Sequence, residues 1–273
     1  MTTRKINWGI TLLIALGSLF IFFPLYIAIA IAMKNPQEMA KSVLAFPTHF
    51  HWSNFTHAIQ MTHFFQAAQN SLYITALSVI FTILTNSLVG YAVARNLHRK
   101  LFKGLYYYFV SALFVPFPII MLPIVKETSA FGLDNPNGLI FLYIVYGLSF
   151  NVFLYVGYIR SIPKELEEAA IVDGCSTWGV FWRVIFPLLA PINATVAILT
   201  ALWAWNDFLL PLIVLDKPES ATLPLVQYVF QSQFSINYNY AFASYLLALA
   251  PMVIVYIFAQ KWIINGVTKG AIK

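Results

Sequence analysis

The chain alternates long stretches without Asp, Glu, Lys or Arg with short charged ones. The uncharged runs cover 6–33, 42–94, 104–125, 135–159, 184–206 and 220–260. A helix rising 1.5 Å per residue needs about 20 mainly apolar residues to cross hydrocarbon. The pattern therefore predicts six transmembrane helices, at about 8–33, 70–94, 104–125, 138–159, 187–212 and 241–264. The stretch 42–69 is uncharged but holds Pro47, Trp52, His49, His51, His57 and His63, groups that suit a wet, partly interfacial loop. The expected fold class is an all-α integral membrane protein, with 1–273 forming a single membrane domain.

Charged residues make up only 10% of the 273 residues, against roughly a quarter in soluble domains. Apolar residues at 60% and aromatics at 17% argue against disorder and against nucleic-acid binding, despite a net charge of +6. The basic residues explain that charge by their placement. Arg4, Lys5, Arg95, Arg99, Lys100, Lys103, Arg160, Lys164, Arg183, Lys261, Lys269 and Lys273 fall on one side of the six spans; Lys34, Lys41, Lys126 and Lys217 fall on the other. Lys and Arg are retained on the cytoplasmic side, so both termini are expected there. The first apolar stretch runs to Met33, well past the roughly 7–15 residues of a cleavable signal core, and is expected to remain as a helix. The single cysteine, Cys175, cannot form an intrachain disulfide.

Motifs that would make the chain an enzyme are missing. The glycine pair at phosphate-loop spacing, Gly174 and Gly179, is followed by Val180 where a Lys is required. No HExxH, CxxC or GxSxG occurs, the four histidines of 42–69 have no acidic partner pattern, and neither a catalytic residue nor a metal site is expected. Charge inside the spans is nearly absent, Asp207 beside Asn206 being the one carboxylate near a span. A self-contained channel or secondary carrier would be expected to show interior charges or inverted repeats. A chain that transports without an ion relay or an ATPase motif takes its energy from a partner.

The loop 160–186 is the most charged segment, and it reads as helix, turn, helix. Pro163 suits a first helical turn, and Glu165, Glu167 and Glu168 face the positive end of the helix dipole. Asp173-Gly174 is a turn signal. Trp178, Phe181, Trp182 and Ile185 follow at helical spacing and are expected to form one apolar stripe along the membrane interface.

Within this loop, EAAIVDGCSTWGVFWRVIFP at 168–187 resembles the EAA signature of permease subunits of ATP-binding-cassette (ABC) importers. Glu168, Ala169, Ala170, Gly174 and Pro187 match, while Val184 and Phe186 replace the usual Ile and Leu. WNDFLLPL at 205–212 and NGVTKGAIK at 265–273 resemble segments of carbohydrate-uptake permeases, closest to the shorter six-helix subunit of maltose-type importers. The resemblance implies a type I importer permease fold with a core at about 70–264, in a bacterial-type cytoplasmic membrane.

It also implies partners: a second permease forming a heterodimer, two ABC ATPases that use ATP and Mg, and an extracytoplasmic solute-binding protein. This chain would bind no cofactor itself, and the cargo would be a sugar or oligosaccharide; an importer permease for a non-sugar solute is the alternative. Carried over, Glu168 is the acidic anchor on the ATPase, Ala169 and Ala170 the close-packing face, and Asp173 and Gly174 the turn, with Pro187 closing the motif. Gly266 and Gly270 in the tail would approach the ATPase, and the outer segment 215–240 the binding protein. Trp203, Trp205, Asn206 and Asp207 qualify by type for a sugar path, with core packing or interfacial anchoring as the alternative.

Overall fold

The computed structural model describes residues 8–230 and 237–271, the side chains of 229, 258, 259 and 261–271 excepted. Among these residues every regular element is helical. In chain order they are α1 (Trp8–Met33), α2 (Pro36–Lys41), α3 (Ser53–Met61), α4 (Phe64–Arg95), α5 (Lys100–Ser111), α6 (Phe117–Ala130), α7 (Pro136–Ile159), α8 (Glu165–Val172), α9 (Thr177–Val180), α10 (Phe186–Leu188), α11 (Ala190–Asn206), α12 (Leu209–Val214), α13 (Leu223–Val226) and α14 (Tyr238–Ala271).

Four of these, α1, α4, α7 and the Tyr238–Ile257 part of α14, are long and apolar enough to cross a membrane unaided. Two bent pairs, Lys100–Phe114 with Phe117–Ala130 and Thr177–Leu188 with Ala190–Asn206, raise the number to as many as six. The most apolar window of α1 has a mean hydropathy of 2.5 and no residue buried by its own chain, as suits a helix surrounded by hydrocarbon.

Two expected spans are not continuous helices. The stretch 104–125 breaks at Val115-Pro116 with a bend of 107°. Pro116 has no N–H to continue α5 and holds Val115 extended, with φ −86° and ψ 113°. The stretch 187–212 bends by 74° at Leu189, ahead of Pro191, and breaks again at Asp207, whose backbone is extended. The region 42–69, expected as a loop, contains α3 and the start of α4, joined through His63 at φ +45°.

Contacts group the chain into two compact units, 1–65 with 226–254 and 66–225 with 255–273. In the first unit Ala32, Ala58, Phe230, Ala241 and Ala243 form the buried core. The last carbonyls of α1 would be left without intrahelical partners. Asn54 Nδ2 donates to Ala32 and Lys34 carbonyls at 2.8 Å each, and Asn239 Nδ2 to those of Ile31 and Lys34 at 2.9 and 2.8 Å. Lys34, only 1% exposed, turns its Nζ onto the carbonyls of Ser42 and Val43 at 3.0 and 2.9 Å.

The second unit has two cores. One joins Ile74 of α4, Leu139, Ile140 and Tyr143 of α7, Ala204 of α11, and Leu210 and Val214 of α12. The other joins Val93 at the end of α4, Val152, Tyr155, Val156 and Ile159 of α7, Ala170 of α8, and Val180, Phe181 and Ile185 beyond it. Helices α4 and α7 meet closely at Gly90, where an added Cβ would stand 2.4 Å from Tyr155 Cβ.

Candidate coupling site

Helix α8 is built by its own sequence. Glu165, Glu167 and Glu168 occupy its first turn, where the helix dipole favours negative charge. Its other end closes in a Schellman motif: Cys175 N–H donates to Ala170 carbonyl and Gly174 N–H to Ile171 carbonyl, both at 2.9 Å. Gly174 takes φ +84°, a conformation that costs side-chain-bearing residues energy and glycine none. Ser176 then caps α9, its Oγ accepting from Gly179 N–H at 3.2 Å.

One face of α8 is fastened to α4. Arg95, the last residue of α4, donates from Nε to Glu167 Oε1 at 2.6 Å and from Nη2 to the Ile162 carbonyl at 3.1 Å, with Nη2 also in ion-pair contact with Glu167 Oε1 at 2.5 Å. Tyr91 Oη, one turn earlier, donates to Glu167 Oε2 at 2.7 Å. Both carboxylate oxygens are thus held, with the two charged side chains each 12% exposed. Ala170, one turn after Glu167, packs into the core with Ile162.

The opposite face of α8 is open. Glu165, Leu166, Glu168, Ala169, Ile171, Val172 and Asp173 are exposed, Val172 at 86%. Of the residues expected to approach a partner, Glu168, Ala169, Asp173, Gly174 and, beyond α8, Pro187 are exposed, whereas Ala170 is buried inside the chain's own core. The expected apolar stripe is split rather than continuous. A π turn at Phe181–Ile185 places Phe181 and Ile185 in the core and leaves Trp178 and Trp182 exposed. The wider turn changes the angular spacing on which a single 3.6-residue face depends.

The other expected residues lie at the far end of α11. Asp207 Oδ1 accepts from the N–H groups of Leu209 and Leu210 at 3.0 and 3.4 Å, starting α12, and Oδ2 accepts from Tyr143 Oη at 3.0 Å. Trp203 packs edge-on against Tyr143, centroids 5.2 Å apart, and is half-exposed. Trp205 is buried, and exposed Asn206 turns its Nδ2 back to the Leu202 carbonyl at 2.7 Å. Gly266 and Gly270 are helical in α14, and their surroundings lie outside the described residues.

Residues 86–269, which contain α8 and its anchor, match the family described as binding-protein-dependent transport system inner membrane component. The chain belongs to this family. The permease is also 39% identical over 277 residues to the multiple sugar-binding transport system permease protein MsmG of Streptococcus mutans, covering 99% of each chain. Its fold matches a crystal structure of a bacterial ABC transporter involved in import of the acidic polysaccharide alginate, at TM-score 0.79 and 20% identity over 95% of this chain and 99% of that one. A bacterial alginate ABC transporter crystallised with its alginate pentasaccharide-bound periplasmic protein matches at TM-score 0.67 and 18% identity, over 93% of each chain. The permease is accordingly a multi-pass, non-enzymatic membrane subunit of an ABC importer.

The permease also contains a polar seam that charge counting does not reveal. Ser71, Thr75, Ser78, Thr82 and Asn86 are buried along α4, and Asn151 is buried on α7. Gly147 makes room there, since a Cβ on it would lie 2.9 Å from Asn151 Nδ2 and 3.4 Å from Asn86 Nδ2. The sequence signal is a recurrence of hydroxyl and amide residues at helical spacing inside an uncharged run.

Proposed function

We propose that this permease passes a sugar or oligosaccharide across the cytoplasmic membrane and is driven through α8 by a separate ABC ATPase. The observation that carries the proposal is that α8 is pinned on one face by Glu167, Arg95 and Tyr91 and open on the other at Glu168, Ala169, Ile171 and Val172. A helix held this way transmits a push to the spans that hold it, whereas a loose loop absorbs it. Closure of two ATPases against the exposed face would move α8, and with it α4 and α7, through the core around Ala170, Tyr155 and Phe181.

The proposal places both termini and the 160–186 loop in the cytoplasm, in line with the excess of basic residues at that end. The partners are a second permease in a heterodimer, two ATPase subunits that bind ATP and Mg, and an extracytoplasmic solute-binding protein. This chain binds no cofactor. The similarity to a sugar permease over nearly its whole length supports a carbohydrate cargo.

The test is to extract the tagged chain in mild detergent, identify the co-purifying subunits by mass spectrometry, and measure the ATPase activity of the complex. Recovery of an ATPase and a second permease, with activity raised by a sugar-loaded binding protein, is the expected result. A homo-oligomer with no ATPase overturns the importer assembly; stimulation by amino acids but not by sugars overturns the cargo.

A further inference from the structure

Beside the anchor of α8 lies a cavity of about 460 Å³ between the end of α4, α5 and the end of α7. Its walls carry Arg95, His98, Lys103, Arg160 and Lys164, together with Tyr106 and Tyr107, and no carboxylate. Arg95 is neutralised by Glu167. Among the described residues Lys103, Arg160 and Lys164 have no ion-pair partner, so three basic side chains face one hollow. Like charges gathered beside an apolar phase repel one another, and an anion placed among them relieves that repulsion.

The depth of the hollow says what kind of anion fits. It lies where the apolar helices α4 and α7 end and α5 begins, among the basic residues that retention of Lys and Arg places at the cytoplasmic edge of the hydrocarbon. The first turns of α5 expose Leu101, Leu105, Tyr107 and Tyr108 beside Lys100 and Lys103, a mixture of apolar and basic side chains that suits the membrane interface at which this bent span begins. Tyr106 and Tyr107 supply aromatic walls of the kind that sit at headgroup level. Basic pockets between spans at this depth suit anionic headgroups.

We propose that this hollow binds the phosphate-bearing headgroup of an anionic phospholipid. Lys103 and Arg160 reach the phosphate from α5 and the end of α7, and Lys164 reaches it from the root of α8. The lipid thereby joins the coupling helix to the membrane beside the Arg95–Glu167 pair.

The test uses the intact complex and reads bound lipid directly, so its outcome is separate from the identity of the cargo. The complex is exchanged into phosphatidylcholine with a small fraction of phosphatidylglycerol, and retained lipid is counted by native mass spectrometry. Preferential retention of phosphatidylglycerol is expected. The Lys103→Gln/Arg160→Gln/Lys164→Gln variant should retain it about 100-fold less tightly, each basic residue at an anionic surface contributing roughly fivefold. The charge-conserving variant Lys103→Arg/Arg160→Lys/Lys164→Arg should retain most of it, which distinguishes lost binding from lost folding. Equal retention by the glutamine variant overturns the site. Displacement of the lipid by millimolar inorganic phosphate assigns the hollow to a soluble phosphate instead.

Discussion

Arg95 and Glu167 stand 72 positions apart, yet they form the hydrogen-bonded ion pair that fixes α8 to the end of α4. Removing one member leaves the other charge without its partner in a mostly dry site. Arg95→Met should therefore cost about 3 kcal/mol, loosen α8, and lower sugar-dependent ATP hydrolysis. Glu167→Gln, which keeps an acceptor for Tyr91, should cost less. The Arg95→Met/Glu167→Met double variant should be more stable than the sum of its parts, because no orphan charge remains. Hydrogen exchange of the Glu165–Val172 amides checks all three; unchanged exchange in Arg95→Met would falsify the anchor.

Much of this site was legible in the chain, though its anchor was not. Helix α8 announces itself through Pro163, three glutamates in one turn, and Asp173-Gly174, all local signals. Arg95 reads only as one more basic residue at the end of a span, because a partner on a distant loop leaves no local trace. Lys34 likewise reads only as one of four basic residues on the outer side of the spans, with nothing local to show that it is buried against two carbonyls. The breaks at Pro116 and Asp207 are hidden for another reason. Run length counts charge and apolarity, and neither the missing N–H of a proline nor a side chain that starts a new helix changes that count.

Gly174 sits in open space, so a larger side chain there meets no neighbour and the penalty is purely conformational. At φ +84° an L-residue loses about 1–2 kcal/mol, more if β-branched. Gly174→Val should distort the turn between α8 and α9 and reduce uptake by the assembled importer, while Gly174→Asn should be nearly silent. Uptake in the order Gly, Asn, Ala, Val supports the turn; full uptake with Val removes it from the coupling path.

Gly90 makes the opposite case, in which space rather than backbone conformation is limiting. Its helix is regular, but a Cβ would lie 2.4 Å from Tyr155 Cβ, so α4 and α7 must move apart to admit one. Gly90→Ala should destabilise the permease by about 1–3 kcal/mol. Gly157→Ala, on the neighbouring helix with nothing within 4 Å, should stabilise slightly through helix propensity. Thermal unfolding of the detergent-solubilised complex separates the two. Equal melting temperatures would mean the interhelical approach is looser than 2.4 Å implies.

Asp207 can serve the start of α12 or the path of the sugar, and substitutions distinguish the two roles. Its carboxylate accepts two backbone N–H groups and the Tyr143 hydroxyl. Asn at this position retains an oxygen for the backbone and an amide that can donate to the tyrosine oxygen. Asp207→Asn should thus keep transport and lose about 1 kcal/mol or less. Asp207→Leu removes the cap and strands a buried hydroxyl, with a combined cost of about 2–4 kcal/mol. Tyr143→Phe should fall between them. If transport follows stability through this series, the carboxylate is a fastening between α7, α11 and α12. If Asp207→Asn abolishes uptake while its melting temperature stays at the wild-type value, the charge itself contacts the cargo, and the half-exposed indole of Trp203 beside it becomes the next residue to substitute.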